Sequence, residues 1–344
     1  MRKTRNSNIE LLRIISMLFI TLHHFSLWAQ GGRSDYLIAH NHLWSAFWSL
    51  FYLPLGDIGV YIFVMISGFY LGIKNISIKQ SVKKTLKVYA EVYFYSILFL
   101  ILALNWQSPV KTNKLWQSVM PITFNQYWFV SGYVVLMLLV PFINQAVNKL
   151  TKRQFAYLLT VLVVICGIFP LINNTIASQT VGLGILITAY LFGTFIAKFI
   201  HRNNWNYLIG LSLFVVNTII IYIIMYYQII LTKDRFTNIY TGIFALLSAW
   251  GLFLIFINLK PVFHVIFNQV ARHMFAVYLI TQNIFVLKQL WSNFHFKQIH
   301  DLTKLNLYGL GTVLLIMLGC YLIDIVRSAI FKLISLIAKK SENP

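Results

Sequence analysis

The sequence predicts an all-α integral membrane protein, a bundle of about ten transmembrane helices forming a single polytopic unit over residues 1–344. Three observations carry that prediction. Hydrophobic residues fill 59% of the 344 positions and charged residues only 10%, against roughly half and a quarter in a soluble domain. Apolar stretches recur along the whole chain at the length a bilayer demands, about 20 residues of helix. The 28 lysines and arginines far outnumber the 8 acids, for a formal net charge of +20, yet they lie between apolar stretches and form no separable basic segment. Such a composition excludes a soluble enzyme, a disordered chain and a disulfide-stapled module. Cys166 and Cys320 each sit inside an apolar run, which argues against a disulfide framework, a CxxC redox pair and a cysteine-held zinc. No bound metal is expected.

The first span, Ile9 to Trp28, follows a basic start at Met1-Arg2-Lys3. It is expected to be retained, because it has spanning length and lacks a small-residue cleavage site. Leu43 to Leu55 is apolar and aromatic but short, and reads as a re-entrant or interfacial piece. Gly56 to Ile73, Leu86 to Leu104, Tyr127 to Val147, Phe155 to Ile172 and Val181 to Ile200 follow as spans, each separated by polar or basic residues. Tyr207 to Leu231, Ile239 to Leu259 and Met274 to Leu290 come next. The last span, Leu307 to Leu336, is long enough to emerge from the membrane as a surface helix.

An even number of spans places both termini on one side, and the basic residues say which. Nineteen fall at one set of span ends, from Arg2, Lys3 and Arg5 through Lys74 to Lys87, Lys149 to Arg153, Lys198 to Arg202, Lys260, Arg272 and Arg327 to Lys340. Eight fall at the other: Arg33, Lys111, Lys114, Lys233, Arg235, Lys288, Lys297 and Lys304. Positive charge is retained in the cytoplasm, so the reading is a multi-pass protein of the cell membrane with cytoplasmic termini. Membrane lipid and an anionic cytosolic ligand are its expected partners, and nucleic acid is not.

Charge inside a membrane is costly and calls for an explanation. The first span holds Glu10, Arg13, His23 and His24. At 100° per residue Arg13 and His24 differ by about 20°, and Glu10 lies about 40° to the other side of His24, so the three share a stripe. Along the axis Arg13 and His24 are roughly 16 Å apart. One reading is an Arg13 paired with Glu10 at i, i+3 and reaching for the interface, plus a buried, hydrogen-bonded histidine. The other is a site with an anion anchor near one end and an imidazole further in. His23 points about 100° away and reads as a packing residue.

The run Arg13-Ile-Ile-Ser-Met-Leu-Phe-Ile-Thr-Leu-His23-His24 resembles the first-helix signature of the membrane-bound acyltransferase family 3, an arginine followed after ten residues by a histidine. Gly59-Val-Tyr-Ile-Phe63-Val-Met-Ile-Ser67-Gly68-Phe69 resembles that family's G-V-x-x-F-F-x-x-S-G-F stretch. Tyr127-Trp128-Phe129 is similar to its W-F helix opening, and Ala276-Val277-Tyr278-Leu279-Ile280 to its I-Y-L-I close. The matches cover most of the chain. Two departures stand out: Lys84 and Lys87 where the family often has an arginine pair, and Thr281-Gln282 where it often has a histidine.

The resemblance implies an O-acyltransferase of the cell envelope, acetylating a cell-surface or lipid-linked polysaccharide. The donor substrate is acetyl-CoA or another acyl-CoA, and no cofactor is bound. Transfer from a thioester to a hydroxyl needs a base, an anchor for the carrier and donors for the oxyanion. An unperturbed imidazole titrates near neutrality, which suits His24 to the base role. Arg13 suits the phosphates or pantetheine arm, with Lys83, Lys84 and Lys87 on the same anion; ordinary positive-inside lysines are the alternative. Glu10, Asp57, Ser67 and Trp128 are assigned to the acceptor or to support. Asp57 is equally a carboxylate favoured at a helix N-terminus, and Ser67-Gly68 equally a close-packing pair. Glu91 and Asp324 are intramembrane acids expected to pair with basic residues. A transporter or flippase for a lipid-linked saccharide is the competing function, although matching broken helices are not evident. A lipid-phosphate glycosyltransferase is less favoured, since the acids at the outer ends, Asp35, Asp57, Asp234 and Asp301, are isolated.

Overall fold

The structure, a computed structural model, describes residues 6–106, 110–172, 182–234, 236, 242–294, 299 and 301–341. Arg2, Lys3, Arg5, Arg235 and Lys297 of the charge count lie outside these residues, as do the expected span starts at Val181 and Ile239. Every element among the described residues is helical. Helix α1 spans Ser7–His24 and runs on through a π-helical turn at Phe25–Ala29. Two short helices, α2 (Gly31–Ala39) and α3 (Leu43–Ser49), precede α4 (Leu55–Leu71), α5 (Ile78–Trp106) and the short α6 (Thr112–Val119). Then come α7 (Trp128–Val147), α8 (Lys152–Val163, extended by a π turn to Ile168 and a last turn to Ile172), and α9 (Leu183–Phe199). The order closes with α10 (Asn204–Tyr226), α11 (Gly242–Asn258), α12 (Val265–Val270), α13 (Met274–Thr281), α14 (Leu287–Ser292) and α15 (Leu302–Ser341).

The all-α membrane class holds, and the count of ten spans is looser. Among the described residues six helices are long and apolar enough to cross a membrane, while α4, α9 and α11 are shorter apolar helices of 17 residues each. The expected span Met274 to Leu290 is not one helix. The Asn283 carbonyl accepts from Val286 and Leu287 while its side-chain oxygen accepts from the Phe285 N–H at 3.0 Å. The side-chain bond takes the Phe285 N–H that a continuing helix would give to the Thr281 carbonyl, so α13 stops at Thr281 and α14 starts afresh at Leu287. The segment Leu43 to Leu55, expected to be a short re-entrant or interfacial piece, holds α3 over Leu43–Ser49 and runs into the start of α4. Its Phe47, Leu50 and Leu53 pack on Met225 and Ile229 at the end of α10.

Side chains tie one set of helix ends together. Asn144 near the end of α7 donates to the carbonyls of Leu71, the last residue of α4, and Lys74 just beyond it, at 2.9 and 3.0 Å. Lys198, at the end of α9, donates to the Val147, Asn148 and Leu150 carbonyls, placing a cation where the orphan carbonyls and dipole of α7 favour one. Arg202 bonds the Asn258 carbonyl at the end of α11, and Asn8 of α1 bonds the Lys260 carbonyl. Lysine-rich segments separated widely in sequence are therefore gathered at a single end of the bundle, the end at which α1 begins.

In the middle, α4 is wrapped by α1, α9 and α11. A Cβ added to Gly68 would overlap the Tyr190 carbonyl oxygen, and one added to Gly193 the Met65 carbonyl oxygen. These reciprocal glycines bring two backbones together where no apolar burial against lipid drives association.

Candidate active site

Helix α1 is anchored at its start. Asn6 caps it by accepting from the Asn8 N–H, and Ser7 bonds the 262–268 segment through the Val262 and His264 backbone and the Asn268 side chain. Two turns in, Arg13 Nη1 donates to Glu10 Oε2 at 2.6 Å, with Glu10 fully buried and Arg13 19% exposed. The Arg13–Glu10 pair anticipated from the i, i+3 spacing is thus present. The guanidinium stays within electrostatic reach of the Tyr133 hydroxyl, which shares a 2.8 Å hydrogen bond with Ser67.

At the far end of the same face, His24 is 6% exposed and its Nδ1 finds no hydrogen-bond partner among the described residues. A buried polar atom left unbonded is costly, which marks the imidazole as different from a structurally satisfied histidine. His23 supplies the contrast. Its Nδ1 bonds the Leu53 carbonyl at 2.6 Å and its ring lies against Gly56, where any Cβ would collide with it. The 100° step between adjacent helical residues separates a packing histidine from an unsatisfied one.

Between Arg13 and His24 runs a wall of rings from the facing helices. Tyr278 lies 6.1 Å from His24 between ring centroids, Phe129 5.7 Å from Tyr278, and Tyr133 5.6 Å from Phe129. Tyr127 holds the upper part of this wall, donating to the Leu279 carbonyl and accepting from Asn283. Gln282, one turn beyond Tyr278, has a buried Nε2 that finds no partner among the described residues.

The remaining expected site residues fall in two places. Asp57 and Trp128 line one cavity of about 140 Å³ together with Tyr61 and Cys166. Neither Arg13 nor His24 lines it; the rings of Trp128 and Phe129, 6.1 Å apart, lead from it toward Tyr278. Asp57 also occupies the first turn of α4, as the helix-terminus reading has it. Lys83, Lys84 and Lys87 lie on the opening turns of α5, with Lys84 half-buried and within reach of the charges of Lys74 and Lys87.

The acyltransferase family 3 model, described as an acyltransferase domain, matches residues 6–325. The chain belongs to that family. No curated protein and no solved structure matches it. As a family 3 acyltransferase it is a multi-pass membrane enzyme that transfers an acyl group to a non-aminoacyl acceptor. The match spans α1 and most of α15, so the Arg13–His24 face lies inside the acyltransferase domain.

A second polar constellation went largely unread in the sequence. Asp324 on α15, fully buried, accepts from Tyr95 Oη (2.8 Å), Arg327 Nε (2.5 Å) and Nη2 (3.1 Å), and His273 Nδ1 (2.6 Å). Arg327 also approaches Glu91 at 3.4 Å. Both intramembrane acids do pair with a base, as expected of them. The base, Arg327, read only as a topology signal, and His273 carried no signal beyond lying five residues before Tyr278.

Proposed function

We propose that this acyltransferase moves an acetyl group from acetyl-CoA to a hydroxyl of a cell-surface or lipid-linked polysaccharide, with His24 as general base. The observation that carries the reading is the shared face of α1, on which Arg13 and the unsatisfied His24 look onto one wall of aromatic rings. The lysine-rich end is assigned to the cytosol, where acyl-CoA resides. Arg13 holds the phosphates or pantetheine arm, assisted by Lys83, Lys84 and Lys87, and the apolar wall carries the thioester toward His24. There the imidazole removes the acceptor's proton as its oxygen attacks the thioester carbonyl. The intermediate collapses with loss of the coenzyme A thiolate, which takes up that proton.

Asp57 and Trp128 suit the acceptor, a carboxylate for sugar hydroxyls beside an indole face for stacking. Ser67, bonded to Tyr133, supports the wall of the face, and Glu10, bonded to Arg13, supports its anchor end. A missing general base costs roughly 10² to 10⁴ in rate. Purified His24→Ala should therefore lose nearly all transfer of labelled acetyl groups while His23→Ala keeps most of it. In cells, mass spectrometry of surface polysaccharide with and without the gene should differ by an acetyl ester. Full transfer by His24→Ala would exclude the base role; unchanged acylation with altered export would favour a transporter.

A further inference from the structure

We propose that the groove between the start of α5 and the end of α7 binds one anionic glycerophospholipid, separately from the acyl-transfer face. Its origin lies in Pro141, which has no N–H to give the Met137 carbonyl four residues back. The Ser81 hydroxyl takes that bond instead, from α5. Beside this irregularity the two helices enclose a groove of about 590 Å³ at the lysine-rich end.

The groove has two chemically distinct parts. Asn75, Ser77, Gln145 and Lys149 supply amide, hydroxyl and ammonium groups, and Ile78, Pro141 and Phe142 an apolar wall. The lysines Lys74 and Lys79, both exposed, flank the polar part. No acid lies in the segments that form it; the first one along α5, Glu91, is engaged by Arg327. An anionic head group is thus matched by charge that nothing in the described part of the groove neutralises.

The apolar wall decides what kind of anion fits. It continues toward the membrane middle as two exposed stripes, Ile78 (60%), Val82 (39%) and Leu86 (59%) on α5 and Phe142 (57%), Leu138 (42%) and Val135 (41%) on α7. The i, i+4 spacing on α5 keeps its stripe on one face over about 12 Å. A soluble phosphate or nucleotide has no use for these stripes. A lipid covers them with its acyl chains while its phosphate meets Lys149 and the amides, the mode expected of basic pockets at a membrane surface.

Native mass spectrometry of the full chain, released from mixed micelles containing phosphatidylglycerol or phosphatidylcholine, tests the assignment. One retained phosphatidylglycerol is expected. Lys149→Glu should weaken its retention about tenfold or more, and Lys152→Glu, the same charge change at the same end but outside the groove, should leave it unaltered. Ile78→Gln, which keeps every charge, should also weaken it, showing that the chains are held. Equal loss in both lysine variants would reduce the effect to diffuse attraction and overturn the proposal. So would equal retention of phosphatidylcholine, or displacement of the lipid by inorganic phosphate or by free coenzyme A, the last of which would hand the groove to a nucleotide. None of these outcomes depends on transfer activity.

Discussion

Asp324→Asn tests the buried network quantitatively, because the change keeps volume and removes only charge and one acceptor. The carboxylate accepts four hydrogen bonds, two on each oxygen. An amide has a single oxygen, so its nitrogen must point at donors. If the oxygen stays toward Tyr95 and Arg327 Nε, the NH₂ confronts Arg327 Nη2 and His273. His273 can relieve its half by shifting its proton to Nε2, but Arg327 cannot deprotonate. The guanidinium keeps Glu91, at 3.4 Å, as its remaining counter-charge. Stripping one partner from a buried pair costs about 3 to 5 kcal/mol, and the surviving Glu91 contact places the expected loss at about 2 to 4 kcal/mol. Tyr95→Phe, which deletes one neutral donor, should cost about 0.6 kcal/mol, typical of a hydrogen bond within a membrane bundle. Detergent-induced unfolding of the purified variants, followed by tryptophan fluorescence, gives both numbers. Combining Asp324→Asn with Arg327→Gln should recover part of the loss, since the unpaired cation goes too. An Asp324→Asn protein within about 0.5 kcal/mol of the parent, or strict additivity in the cycle, would refute the claim that the network is one electrostatic unit.

Other consequences are as definite. Gly193→Val should push α4 and α9 apart at the Met65 carbonyl, costing about 1 to 3 kcal/mol and lowering the yield of monodisperse protein on size-exclusion chromatography. Arg13→Lys should weaken binding of labelled acyl-CoA, because a point charge replaces a planar fork; unaltered donor affinity in Arg13→Ala would remove that residue from the donor site. His23→Ala should lose the bond to the Leu53 carbonyl and about 1 kcal/mol of stability, visible in unfolding and nearly silent in turnover. A reporter active only in the cytoplasm should give signal when fused after Asn343, which lies beyond the described residues, and none when inserted at Lys111; signal at Lys111 would reverse the topology.

Hydropathy made most of the helices legible, since bilayer length is a constraint a single sequence displays. The pairing of Arg13 with Glu10 and the divergence of His23 from His24 were legible too, because helical geometry alone fixes both. The break at Asn283 was not, since its side-chain turn is invisible to an average over apolar residues. The Glu91, Tyr95, His273, Asp324 and Arg327 cluster stayed hidden because its members come from α5, the residue before α13 and α15, far apart in the chain. Nothing in a pattern of 3.6 residues announces that Tyr95 will meet Asp324. The shared cavity of Asp57 and Trp128 is likewise a product of how α4, α7, α8 and α9 converge.

Helices α4, α9 and α11 are shorter apolar helices, of 17 residues each. That length is about 25 Å of helix, against a hydrocarbon layer of about 30 Å. Other helices are far longer, 29 residues in α5 and 40 in α15. A helix shorter than the hydrocarbon layer is accommodated by local thinning of the bilayer or by flanking residues that reach for the interface. The mismatch of about 5 Å is met at these three helices alone, so a change in bilayer thickness bears on the bundle unevenly, first on its short helices and only then on its long ones.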